Sequence, residues 1–167
     1  MTPRRPLHAP ALLAWLRLAR VFRKIDRLSA EHLRAWGLSV AQFDVLAQVG
    51  AAEGVTQQEL AARLLVTKGN ICQLLDRLEG QGLLVRRQEG RVNRLHLTPD
   101  GRRLHDAVVP AQEALIARLL GRLTPDEQRG LHQTLRRLDQ ALEEPGRGRA
   151  ETSVATSARR RGEGTGA

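Results

Sequence analysis

Cysteine occurs once in the 167 residues, at Cys72. No intrachain disulfide can form and no thiolate cluster can hold zinc, which fits a reducing cytoplasm. Lysine is almost as scarce, Lys24 and Lys68 being the only two, so arginine carries the positive charge. A GC-rich genome explains that bias as readily as selection for bidentate phosphate contacts. No apolar run approaches the roughly 20 residues that span a bilayer. Near the N-terminus, Trp15 and Arg17 interrupt the stretch from Leu12 to Leu18, and no small-residue cleavage site follows. A soluble, unexported, cytoplasmic protein without a membrane partner is expected. His8, His32, His96, His105 and His132 lack the i, i+4 spacing of a helical metal site, so neither a metal nor a cofactor is expected. A nucleophile with its base, paired carboxylates and a phosphate-cradling loop are all missing, and no catalytic residue is assigned.

What is present is positive charge. The formal net charge is +9, from 27 Lys and Arg against 18 Asp and Glu. That balance points to a polyanion, nucleic acid or an acidic membrane surface, and charge alone leaves both open. The length suits one domain with extensions.

From His8 to Trp36 apolar residues recur at helical spacing, with Leu12, Trp15, Ala19, Phe22, Ile25 and Leu28 among them. A helix of that length reaches about 40 Å, more than a compact core of this size covers, so part of its apolar stripe should meet a second copy of the chain. Gly37 stops it. Ser39 with Gln42 forms a capping box for a second helix, which Gly50 and Gly54 should break, and Thr56 with Glu59 repeats the device before a short third helix. Thr67 caps a fourth, running from Lys68 to about Gln81. Leu83 to Arg87 and Asn93 to Leu97 read as the strands of a small hairpin around a polar turn at Gln88 to Val92. Thr98-Pro99-Asp100 and Thr124-Pro125-Asp126-Glu127 each start a long helix. The first carries Pro110, which should kink it, and the second carries a stripe of Leu131, Leu135, Leu138 and Leu142. From Pro145 the chain is Gly, Ser, Thr, Ala and Arg with almost no aliphatic residue, and reads as a disordered basic tail over 145–167.

Two short helices in tandem followed by a hairpin describe a winged helix-turn-helix, a mainly α fold with a small β-hairpin wing. Its DNA-binding core spans 37–98 within a domain of 1–144. The helices of 8–36 and 99–144 are expected to make it a homodimer. At about 100° per residue, Ile71, Leu74, Leu75 and Leu78 share one stripe of the fourth helix while Asn70, Gln73 and Arg77 share another side. Asn and Gln pair with adenine, Arg with guanine or phosphate, and Thr67 and Lys68 add phosphate donors at the positive end of the helix dipole. In the hairpin, Arg91 near the tip suits a narrow minor groove, with Asn93 and Arg94 beside it and Glu89 placed to orient Arg91. The alternative for both groups is a solvated charged face. Cys72 lies off both stripes beside Asp76 and Glu79, whose charge disfavours the thiolate an oxidation sensor needs.

The run Thr67 to Leu84, TKGNICQLLDRLEGQGLL, followed by EGRVNRLHLTPDG, resembles the MarR family of regulators, and the likeness extends over about Leu12 to Leu142. The family's wing usually reads aspartate, any residue, arginine, and ends in a Leu-Thr step. Glu89, Gly90, Arg91 and Leu97-Thr98 stand at those positions. The resemblance implies a dimer built from the first and last helices, double-stranded DNA as partner, and repression relieved by a small phenolic or anionic effector. The alternative is an effector-independent architectural or interaction-type winged helix. One branch of the family, responsive to urate-like ligands, has a tryptophan in the first helix, an aspartate in the second and an arginine in the recognition helix. Trp15 and Asp44 resemble the first two and are the candidate ligand residues, the alternative for Trp15 being a core or interface position, but Leu74 stands at the third position, which does not support urate binding.

Overall fold

The computed structural model describes residues 10–143, and the chain divides into two compact units, Met1–Leu119 and Leu120–Ala167. The expected basic tail lies outside the described residues. In the first unit, α1 (Pro10–Arg34), α2 (Val40–Ala51), α3 (Gln57–Arg63) and α4 (Lys68–Gly80) precede an antiparallel hairpin of β1 (Leu84–Glu89) and β2 (Val92–Leu97). Helix α5 (Pro99–Leu120) follows. The second unit carries α6 (Pro125–Glu143).

Local chemistry starts the helices where the capping residues stand. Ser39 Oγ accepts from Gln42 N while Gln42 Oε1 accepts from Ser39 N, and Thr56 with Glu59 makes the same reciprocal pair. Thr67 Oγ1 accepts from Asn70 N at 3.3 Å, opening α4. At the other end of α4, Gly82 N donates to Glu79 O and Leu83 N to Leu78 O, a Schellman turn that sends the chain straight into β1.

The core gathers one or more residues from every element of the first unit. Leu33 of α1, Val45, Leu46 and Val49 of α2, Leu60 of α3, Ile71, Leu75 and Leu78 of α4, Leu84, Leu95 and Leu97 of the hairpin and Val108 of α5 are all buried. Each buried leucine contributes roughly 2 kcal/mol of apolar burial, so α4 is held by its apolar stripe and its other sides are left for other work. Leu74 is only partly buried at the edge of that stripe.

Two expectations change. Gly50 does not break α2 but lies inside it. A Cβ there would come 2.3 Å from Cδ2 of His105, so the bare backbone lets α5 pack closely, offsetting the roughly 1 kcal/mol that glycine costs a helix. The polar turn of the wing shrinks to Gly90 and Arg91, because Glu89 pairs with Val92 and Gln88 with Asn93. Gly90 has φ +63°, the positive value that a two-residue II′ hairpin turn requires at its first position. The hairpin is also not alone: Gly54 N donates to Leu95 O, Leu95 N donates to Val55 O, and Thr56 bridges Arg94, so the α2–α3 connection covers the free edge of β2. Pro110 is carried within α5, which continues to Leu120.

Candidate nucleic-acid interface

Helix α4 turns Ile71, Leu75 and Leu78 into the core, and the roughly 100° step per residue then sets Asn70, Gln73 and Arg77 outward, where all three are exposed. Thr67 and Lys68 are exposed at its first turn. The wing brings Arg91 and Asn93 to the same place. Lys68, Arg91 and Asn93 line one open cleft of about 770 Å³ with Thr56, Gln57 and Ile71. Lys68 of α4 and Arg91 and Asn93 of the hairpin therefore share one surface, though they are more than twenty residues apart in the chain.

Glu89 does not hold Arg91. Its Oε2 accepts from Arg94 Nε at 2.8 Å, and Arg94 Nη1 also donates to Gly54 O at 2.8 Å. The register explains this, since Glu89 and Arg94 are diagonal neighbours on one face of the hairpin whereas Arg91 stands in the turn, off that face. Among the described residues Arg91 forms no ion pair. Arg94 is thus tied to the α2–α3 connection and steadies the base of the wing.

Several polar groups at this site were missed in the sequence. Arg86 of β1 pairs with Asp76, at 2.7 Å, and with Glu79, both on α4. Gln57 Nε2 donates to Cys72 Sγ at 2.7 Å, linking α3 to α4. Glu53 pairs with Arg102 of α5 and lies 3.8 Å from His96 Nδ1 of β2. The visible signal was the placement of Asp76 and Glu79 on one side of α4 with an arginine just past the turn.

Of the two candidate ligand residues, Trp15 is 62% exposed on α1, and Asp44 is half-buried on α2 beside Asp26. Asp26 is roughly 16 Å along the helix from Trp15, so the two candidates are not neighbours within one protomer. Burial, and secondarily the charge of Asp26, pushes the Asp44 carboxyl above its ordinary value. The folded chain then holds that proton more tightly than the unfolded chain, and stability falls as pH rises through the interval between the two pKa values. Asp44→Asn is expected to raise stability near neutral pH, with the gain vanishing once the pH drops below the ordinary carboxylate value. Urea denaturation of both proteins across acidic and neutral pH checks this, and a destabilised variant at neutral pH contradicts it.

A helix-turn-helix with a wing, both ending on one basic surface, defines the DNA-binding class of winged-helix regulators. The family model described as the MarR family matches residues 36–94. An HTH-type transcriptional regulator of Bacillus cereus is 40% identical over 102 residues, covering 61% of this chain and 69% of its own. A MarR-family transcriptional regulator from Rhodococcus sp. RHA1 superimposes with a TM-score of 0.71 at 28% identity, over 78% of this chain and 95% of that one. FabT of Streptococcus pneumoniae, solved in complex with DNA, gives 0.66 at 26% identity over 76% and 93%. The chain belongs to the MarR family of transcriptional regulators.

Proposed function

We propose that this regulator binds double-stranded DNA as a homodimer, acts as a repressor, and is released by a small phenolic or anionic effector. The observation that carries the DNA reading is the meeting of Lys68 of α4 with Arg91 and Asn93 of the wing around one open cleft, with Asn70, Gln73 and Arg77 exposed on the outward side of the same helix. The DNA complex solved for FabT supports it. In this reading Thr67 and Lys68 hold phosphate, Asn70, Gln73 and Arg77 face base edges in the major groove, and Arg91 enters the adjacent minor groove with Asn93 beside it. Arg94 keeps the wing in place while its exposed edge adds positive charge. The dimer is supported by apolar faces left uncovered, Leu12, Leu13, Trp15, Leu16 and Phe22 on α1 and Leu131, Leu135, Leu138 and Leu142 on α6. A two-fold dimer would read a pseudo-palindrome with half-sites about one helical turn apart. Footprinting upstream of the neighbouring gene, followed by titration of phenolic and anionic compounds against the footprint, tests the whole. Effector binding that leaves DNA affinity unchanged refutes the release mechanism.

Gln73→Ala or Arg77→Ala should weaken operator binding more than binding to random duplex, by roughly 1 to 3 kcal/mol where the side chain reads a base. Equal losses on both DNAs in salt-matched titrations would assign the residue to phosphate. Arg91→Ala should lose most affinity on A·T-rich flanks, whose narrow minor groove has the stronger negative potential. Equal losses on A·T-rich and G·C-rich flanks would remove Arg91 from the groove.

A further inference from the structure

Arg86 follows β1's first two residues and reaches back along α4. Its Nη2 lies 2.7 Å from Asp76 Oδ1 and, more distantly, 3.5 Å from Cys72 O, while Nη1 pairs with Glu79 Oε2 and its backbone N donates to Glu79 Oε1 at 2.9 Å. The Arg86 side chain is 22% exposed. Cys72, Asp76 and Glu79 share one side of α4, roughly 130° around the helix from the centre of the Asn70, Gln73 and Arg77 face. The guanidinium therefore grips the recognition helix from the flank and leaves its outward face clear.

We infer that Arg86 is a positioning residue that sets the separation of α4 and the wing tip, so that Gln73, Arg77 and Arg91 engage one duplex together. This rests on the DNA-binding reading proposed above. The base of the hairpin is held by Leu84, Leu95 and Leu97 in the core and by the α2–α3 connection on β2, but the chain joins α4 to β1 through only Gln81 to Leu83, so Arg86 is the directional side-chain link between the recognition helix and the wing. Arginine suits the task because its planar fork serves two carboxylates at fixed angles, which a lysine ammonium does not.

The test is a double-mutant cycle on the full chain, with operator affinity measured at constant salt and folding followed by circular dichroism. With Arg86 in place, R91A is expected to weaken binding about 10-fold, and in an R86Q background only about 2-fold, because a wing that is no longer aimed has little left to lose. R86K is expected to fall between, since it restores charge without the fork. An unchanged R91A cost in R86Q overturns the inference. Full restoration of binding and coupling by R86K also overturns it, by reducing Arg86 to a counter-charge for Asp76 and Glu79. Should R86Q fail to fold, E79Q is read by the same criteria, since it removes one carboxylate from the grip. If neither R91A nor Q73A alters operator affinity with Arg86 present, the interface reading fails and the inference falls with it. Additive losses with both single variants effective remove the inference alone.

Discussion

Leu138→Asp is expected to leave monomers at micromolar concentration by separating the homodimer proposed above. Leu138 is 49% exposed on α6, in line with Leu131, Leu135 and Leu142. In a two-fold interface each substitution acts twice. Losing about 2 kcal/mol of apolar burial in each copy removes roughly 4 kcal/mol, and two buried charges add to that, so the dissociation constant should rise at least about 1,000-fold. Analytical ultracentrifugation across a concentration series measures it, and operator affinity should fall in parallel because one half-site alone gives up the second set of contacts. A dimer of native strength would show that this face of α6 is not the interface.

The second large effect lies at Gly101, in the first turn of α5. A Cβ there would stand 1.8 Å from the backbone oxygen of Leu83, which accepts from Thr98 N and cannot move without disturbing the turn between α4 and β1. Thr98 locks the same junction, since its Oγ1 donates to Gly82 O and accepts from Gly101 N. Gly101→Ala should therefore cost about 3 kcal/mol or more, against the small gain expected for alanine in an open helix, and lower Tm by roughly 10 °C. Gly130→Ala is the control, because among the described residues nothing lies within 4 Å of a Cβ at that position in α6. Thermal unfolding of both variants checks the contrast, and equal Tm values would mean that the junction yields more readily than its hydrogen bonds suggest.

The parts of this molecule that could be read in advance are those decided within a few residues. Ser39 with Gln42, and Thr56 with Glu59, state where helices begin because both partners of each box lie in one turn. Ile71, Leu75 and Leu78 state which side of α4 is inward, and the exposure of Asn70, Gln73 and Arg77 follows from helical geometry. Contacts made across elements gave no comparable signal. Gly50 reads as a breaker until His105, 55 positions later, is found against it. Glu89 stands near both Arg91 and Arg94 in the chain, and only the strand register decides for Arg94. The family likeness identified the wing without revealing that Arg86 ties it to α4, since that pairing depends on where the Schellman turn delivers β1.

The two-residue turn at Gly90 and Arg91 limits how such a wing can vary in length. Each strand alternates its faces residue by residue, and Leu84, Leu95 and Leu97 must keep pointing inward. Adding a single residue to one strand would either bulge the ladder or turn every side chain beyond it to the opposite face, separating Glu89 from Arg94. Growth by matched pairs, one residue on each strand, escapes that penalty and carries the arginine at the tip outward by about 3.4 Å per pair. The reach of the wing along a duplex is therefore a stepped quantity, and relatives with longer or shorter hairpins should differ by even numbers of residues unless a bulge absorbs the odd one.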